Sequence, residues 1–213
     1  MKKILLFLFA FTLFTSAYAQ EAKTLFLKSP ESVTPLLTEV NRADFIDFLE
    51  SNMKAKVKNR FESESEMTDL TADYIRIQMT PQSTWEMKVL PVDDAQSIIC
   101  IISTACAPIC DSRIQLYTAD WKPLNYNLYI TLPKKEDFFL AQPDDTSTED
   151  FRILYKKADL FLVKASLSKE SKVLTFSYTT PEYMVKEDAE KLSEYLREPL
   201  MYTWNQGKFQ KMH

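Results

Sequence analysis

The sequence predicts an α+β fold built on antiparallel sheet. Three observations carry this. Several segments alternate apolar and polar residues with a period of two, and turn residues separate them. One of those segments, Ile98 to Ile102, is apolar on both faces, as a central strand is. Two further stretches, near 41–52 and 181–196, space their apolar residues as helices do. The expected architecture is antiparallel meanders with these helices packed on one side.

The chain of 213 residues opens with MKKILLFLFAFTLFTSAYA. Lys2 and Lys3 form a basic start, Ile4 to Leu13 an apolar run, and Ala17-Tyr18-Ala19 a small-x-small cleavage site. These are the three marks of a secretory signal peptide, cleaved before Gln20. The first cysteine is Cys100, so a lipid anchor at the cleavage point is not expected. No later segment has the roughly 20 apolar residues a membrane helix needs. The expected location is periplasmic or secreted, with no transmembrane segment in the mature chain. Losing residues 1–19 takes two lysines and moves the net charge from −4 to −6. That balance argues against nucleic acid as a partner.

In the mature chain, residues 20–30 read as an extended lead, and Glu31 to Leu37 as a helical turn. Asn41 can cap a helix in which Phe45, Ile46, Phe48 and Leu49 form the apolar face. The polar run 50–66 reads as a loop. Its basic part, Lys54 to Arg60, reads as a solvated helix end beside acidic Glu62, Glu64 and Glu66.

Strands follow. Ile75, Ile77 and Met79 share one face, with Tyr74, Arg76 and Gln78 on the other. After a turn at 80–83, Trp85, Met87 and Val89 alternate with Glu86 and Lys88. Pro91 to Gln96 turns into the central strand, a loop at Pro108 leads to Arg113–Thr118, and Ala119 to Lys122 turns again. Pro133–Leu140 reads as a short helix. Gln142 to Asp150 is the linker candidate, which divides the mature chain into 20–142 and 143–213, two parts that can still form one continuous domain. Phe161, Val163 and Ala165 then alternate in one strand, and Leu174, Phe176 and Tyr178 in its partner. Thr180-Pro181-Glu182 starts a helix whose face is Val185, Ala189, Leu192 and Leu196, supported by a Glu187–Lys191 pair. Pro199 to Trp204 forms a last strand, followed by a turn at the only glycine, Gly207, which makes a C-terminal hairpin. QLYT at 115–118 and LMYT at 200–203 precede similar aromatic turns, which suggests two related halves.

The composition removes large classes of chemistry. With one glycine there is no phosphate-binding loop and no nucleophile elbow. The one histidine is His213, so His-based triads and zinc helices are absent. No cofactor, metal or catalytic residue is assigned. Cys106 and Cys110 sit where a disulfide would close the loop between two antiparallel strands, at about 4.5–5.5 Å between Cα atoms. The alternative is a redox pair, but the spacing is CxxxC and the one basic neighbour, Arg113, is offset by Asp111. Cys100 faces the core as a free thiol. The carboxylates Glu62, Glu64, Glu66, Asp69 and Asp73, and the pairs Asp93-Asp94 and Asp144-Asp145, read as solvated loops. Tyr74 and Tyr117 lie on polar strand faces and mark a possible binding face if one side of a sheet is uncovered.

Residues 35–55 (PLLTEVNRADFIDFLESNMKA), 74–90 (YIRIQMTPQSTWEMKVL), 100–112 (CIISTACAPICDS), 116–121 (LYTADW) and 179–184 (TTPEYM) resemble a family of exported domains of unknown function from Bacteroides and its relatives. The resemblance implies an α+β fold with antiparallel sheet and implies no activity. The reading reached is an exported, non-catalytic binding or interaction module for an unknown protein, peptide or glycan. The alternatives are a glycan-active enzyme using paired carboxylates and a thiol–disulfide protein using Cys106 and Cys110.

Overall fold

The computed structural model describes residues 21–93, 96–140 and 148–212. The expected signal peptide, Gln20, Asp94 and residues 142–147 of the expected linker lie outside them. The chain forms α1 (Glu21–Leu27), α2 (Glu39–Glu50) and seven strands, β1 (Lys56–Lys58), β2 (Glu64–Leu70), β3 (Tyr74–Thr80), β4 (Ser83–Pro91), β5 (Ser97–Cys106), β6 (Cys110–Thr118) and β7 (Pro123–Leu124). Then come α3 (Glu149–Lys157), β8 (Val163–Leu167), β9 (Val173–Tyr178), α4 (Lys186–Ser193), β10 (Leu200–Asn205) and β11 (Lys208–Lys211). Strands β1 to β7 form one sheet in sequence order, and the second sheet runs β11-β10-β9-β8. All pairings are antiparallel. The fold class is α+β, as the strand periodicities predict.

Both faces of the large sheet are covered. Ile99 and Ile101 of β5 join Ile75, Ile77, Trp85 and Met87 in a core under α1 and α2. Ile98, Cys100 and Ile102 face a second core with Leu174 and Phe176 of the small sheet, Phe151 and Leu154 of α3 and Leu192 of α4. The helices therefore do not share one side: each pair belongs to a different core. This is why β5 is apolar on both faces. The two meanders share the second core. QLYT lies in β6, next to the end strand of the large sheet, and LMYT in β10, inside the small one.

Several elements differ from the sequence expectations. Residues 21–27 are helical, not extended. Ala22, Leu25 and Phe26 stand at i, i+3 and i+4 and all bury, and Ala22 N–H donates to Ala72 O at 2.9 Å. Helix α2 starts before Asn41. Thr38 is the cap: its Oγ1 accepts from Asn41 N at 3.0 Å, and Asn41 Oδ1 accepts from Thr38 N at 3.1 Å. The basic run is not a helix end, and 50–66 is not all loop. Lys56 and Lys58 are on β1, an edge strand whose only apolar residue is Val57. Lys56 pairs with Glu64 and Glu66, and Lys58 with Glu62, so charge pairing between the two segments replaces the apolar period.

In the second half, residues 135–138 form a single 3-10 turn. Thr148 caps α3 by accepting from Phe151 N at 3.3 Å, so Glu149 and Asp150 are helix, not linker. Phe161 precedes β8 instead of joining it. The helix expected over 181–196 is two pieces. A 3-10 turn spans Thr180–Tyr183, Met184 is extended, and α4 follows. Val185 is consequently 71% exposed, while Leu192 buries. In α4 the i,i+4 ion pair is Lys186–Glu190 at 3.8 Å. β10 pairs with β11 in the expected C-terminal hairpin. Gln206 and Gly207, with φ of 48° and 75°, form the hairpin turn to β11.

Candidate functional site

Polar groups join the two sheets. β8 lies across β4, β5 and β6 and is the edge strand of the small sheet. Its N–H groups at 163, 165 and 167 point away from β9 and need acceptors. The large sheet supplies them. Val163 N donates to Asp111 Oδ1 at 3.1 Å, Ala165 N to Ser112 Oγ at 2.9 Å, and Leu167 N to Glu86 Oε2 at 2.8 Å. Glu86 is 6% exposed, and burial pushes its carboxyl above the ordinary range, although Leu167 N–H and Arg76 pull it down. Beside it, Lys88 is 1% exposed and its Nζ lies 3.0 Å from both Lys169 O and Asp73 Oδ2. Its ammonium also sits 5.6 Å from the centre of the Tyr74 ring. Burial and Glu86 together raise the Tyr74 phenol. These charged residues alternate with apolar ones in β4, which makes them look solvent-facing in the sequence. They are the joint between the sheets.

The other sequence-predicted residues fall as follows. Tyr74 is 3% exposed and Tyr117 9% exposed, and they belong to opposite cores. They do not share one face: Tyr74 is enclosed between the sheets, whereas Tyr117 also borders the groove along β6. Tyr117 packs its ring 5.7 Å from Trp121 and accepts from Gln115 Nε2 at 2.8 Å. Cys106 and Cys110 lie opposite each other in the β5–β6 ladder, with 3.9 Å between Cα atoms and their sulfurs at bonding distance, 2.01 Å. Cys100 is fully buried, and burial raises its thiol. The acidic residues at 62–73 are engaged with lysines rather than grouped. Glu62, Glu64 and Glu66 pair with β1, Asp69 with Lys169 at 2.8 Å, and Asp73 with Lys88. The Lys169 contact holds Asp69 below the usual carboxylate range. Asp93 Oδ1 accepts from Gln96 N at 2.8 Å. Asp144 and Asp145 are outside the described residues. Among the described residues, no group of three or more His, Cys, Asp or Glu side chains could hold a metal, and no helix is long and apolar enough to cross a membrane.

The outer edge of β6 is open over part of its length. This strand pairs with β5 along its whole length, from Cys110 opposite Cys106 to Thr118 opposite Ile98. On its other side only Leu116 and Tyr117 have ladder partners, Leu124 and Pro123 of β7. β7 stops at Leu124 because the next residue, Asn125, caps a 3-10 turn by accepting from Asn127 N at 3.1 Å. Bonds at both ends fix the backbone direction. Thr118 N donates to Lys122 O at 2.9 Å, and Cys110 O accepts from the Thr179 hydroxyl at 2.7 Å. Outward groups recur at every second residue of an antiparallel strand. Ser112 and Ile114 therefore also turn N–H and C=O away from β5, and these groups have no protein partner among the described residues.

Three concave regions surround this edge. One of about 440 Å³ runs along it, past Ile114, Gln115, Leu124, Tyr126 and Leu132. One of about 390 Å³ lies on the helix side, between Val33, Leu36 and Trp85. The third, about 160 Å³, is on the small-sheet side and is walled by Ile114, Leu132, Phe161 and Val163. Arg113 borders the first two. It is exposed and has no ion pair among the described residues. Sequence reasoning met Arg113 only as a neighbour of the disulfide. The signal for the edge was Asn125, whose capping of the following turn ends β7 after two residues.

Comparisons with known proteins agree with the fold and add no activity. No curated protein matches the chain. A solved structure, that of a domain of an uncharacterized protein from Porphyromonas gingivalis W83, is 30% identical with a TM-score of 0.79, over 90% of this chain and 99% of that one. The family model described as "Protein of unknown function (DUF3256)" matches residues 14–209, and the chain belongs to that family.

Proposed function

We propose that the protein is an exported, non-catalytic binding module whose binding site is the open edge of β6. One observation carries the reading. The backbone groups of Ser112 and Ile114, unpaired among the described residues, lie between grooves, beside Arg113, a cation with no ion pair among those residues. The carboxylates Asp69 and Asp73 are engaged in ion pairs, and Glu86 in the joint between the sheets. The leader-like segment at 1–19 supports export.

The test is native mass spectrometry of the protein recovered from its own cells without reductant, wild type beside Arg113→Glu. The expected result is a chain starting at Gln20, two hydrogens lighter for one disulfide, that carries a component the variant does not retain. A chain retained in the cytoplasm with residues 1–19 intact would overturn export. A component retained equally by both proteins, or none on either, would overturn the site.

A further inference from the structure

Resting on that reading, we propose that the β6 edge takes an extended peptide segment as the next strand of the large sheet, with an acidic side chain opposite Arg113 and an apolar residue on either side of it. The backbone argument comes first. Ser112 and Ile114 offer two N–H donors and two C=O acceptors in the spacing an antiparallel or parallel strand uses. The free stretch is bounded by the Thr179 hydroxyl on Cys110 O and by β7 at Leu116. It runs from Asp111 to Gln115 and accommodates about five residues of extended chain at roughly 3.3 Å each.

Side chains set the preference. Arg113 lies on the helix-side face of β6 with Tyr117 and is exposed. A residue directly opposite it in a new strand comes within about 5 Å at Cβ, where opposite charges attract. Asp111 Oδ1 accepts from Val163 N, and no ion pair joins Asp111 to Arg113 among the described residues. The peptide residues opposite Ser112 and Ile114 fall on the other face, where Ile114, Leu132, Phe161 and Val163 wall an apolar recess. A second copy of this chain fits less well. If two β6 edges paired through their free residues, Ser112 would face Ile114 and Arg113 would face Arg113, a like-charge pair.

The test uses three acetylated and amidated pentapeptides: TVEVT, its charge-reversed form TVKVT, and TVEVT N-methylated at both valines. They are titrated into the purified ¹⁵N-labelled protein while amide shifts and hydrogen exchange are followed. TVEVT is expected to shift the Ser112 and Ile114 amides and to slow their exchange at least tenfold. It should bind about fivefold tighter than TVKVT, the N-methylated peptide should not bind, and Arg113→Glu should reverse the charge preference. The proposal is overturned if none of these amides moves at millimolar peptide. Equal binding of the N-methylated peptide, or a charge preference unchanged in the variant, overturns it too. Shifts of the same amides with protein concentration alone would assign the edge to a second copy. If the peptides fail while native mass spectrometry finds a glycan lost in Arg113→Glu, the binding module stands and the added strand does not.

Discussion

Glu86 Oε2 accepts the N–H of Leu167 at 2.8 Å, from the middle of one sheet to the edge strand of the other. The bond uses a buried carboxylate to cover a strand edge that would otherwise be unpaired. Removing the acceptor should cost more than removing the charge. Glu86→Ala leaves Leu167 N–H buried without a partner, worth about 1–3 kcal/mol. Glu86→Gln keeps an acceptor oxygen and should retain most of the stability. The pH dependence separates the two contributions. Because the folded-state pKa of Glu86 is raised, its effect on stability is most favourable at low pH and is lost as pH rises from the ordinary carboxylate range through the raised value. Urea unfolding of wild type and Glu86→Gln from pH 4 upward should show that downward slope in the wild type only.

Asp69 works in the opposite direction. Lys169 holds its folded-state pKa down, so its contribution is present above the ordinary carboxylate value and is lost as pH falls through the lowered one. Lys169→Ala should flatten the acid limb of the stability curve below about pH 4 while leaving the region above it in place. Acid titration of the unfolding midpoint measures this. A variant curve parallel to wild type below pH 4 would show that the pair does not contribute.

The pair Lys88–Asp73 is asymmetric in burial, and the two deletions should differ accordingly. Asp73→Ala strands an ammonium at the joint, where Lys169 O and the Tyr74 ring are its remaining contacts among the described residues. Uncompensated buried charges cost about 3–5 kcal/mol. Lys88→Met leaves Asp73, which is partly exposed and can be solvated, and fills the space with an apolar chain. Denaturant midpoints should place Asp73→Ala well below Lys88→Met. Equal losses would mean that the ammonium gains little from its carboxylate.

Legibility followed the physics of each element. Strands β3, β4 and β5 could be read because their apolar residues alternate against a covered core, as at Ile75, Ile77 and Met79. Helix α1 was missed because seven residues give less than two turns of pattern, and Leu25 with Leu27 imitates a strand. β1 was missed because its partners are charges. The fate of Glu86, Lys88 and Tyr74 depended on a second sheet arriving from residues more than 70 positions away, which no local pattern encodes. The open edge of β6 depends on where β7 stops, again a property of pairing.

The three cysteines should separate under chemical probing. Cys100 is fully enclosed with its thiol raised by burial, so a thiol reagent should modify it only as fast as the protein unfolds. The Cys106–Cys110 bridge closes a very short loop, worth about 2 kcal/mol on chain-entropy grounds. Replacing both with serine should lower stability by about that much and leave Cys100 unreactive under native conditions. Timed labelling followed by intact mass, alongside thermal melts, reads both effects. Rapid native labelling of Cys100 would contradict its enclosure between β5 and the small sheet.

The N-terminal helix supplies the last test, because its place in the core is the largest departure from the sequence expectation. Phe26 is fully buried and its ring lies 5.8 Å from that of Trp85 on β4. If residues 21–27 were an extended lead, truncating Phe26 would change little. As a helical residue closing the helix-side core, Phe26→Ala should cost about 3–5 kcal/mol, since the enclosed space cannot fully collapse. The same substitution should change the tryptophan emission of the folded protein, because Trp85 loses its aromatic neighbour. Neutral effects on both stability and emission would remove α1 from the core and restore the extended reading of this segment.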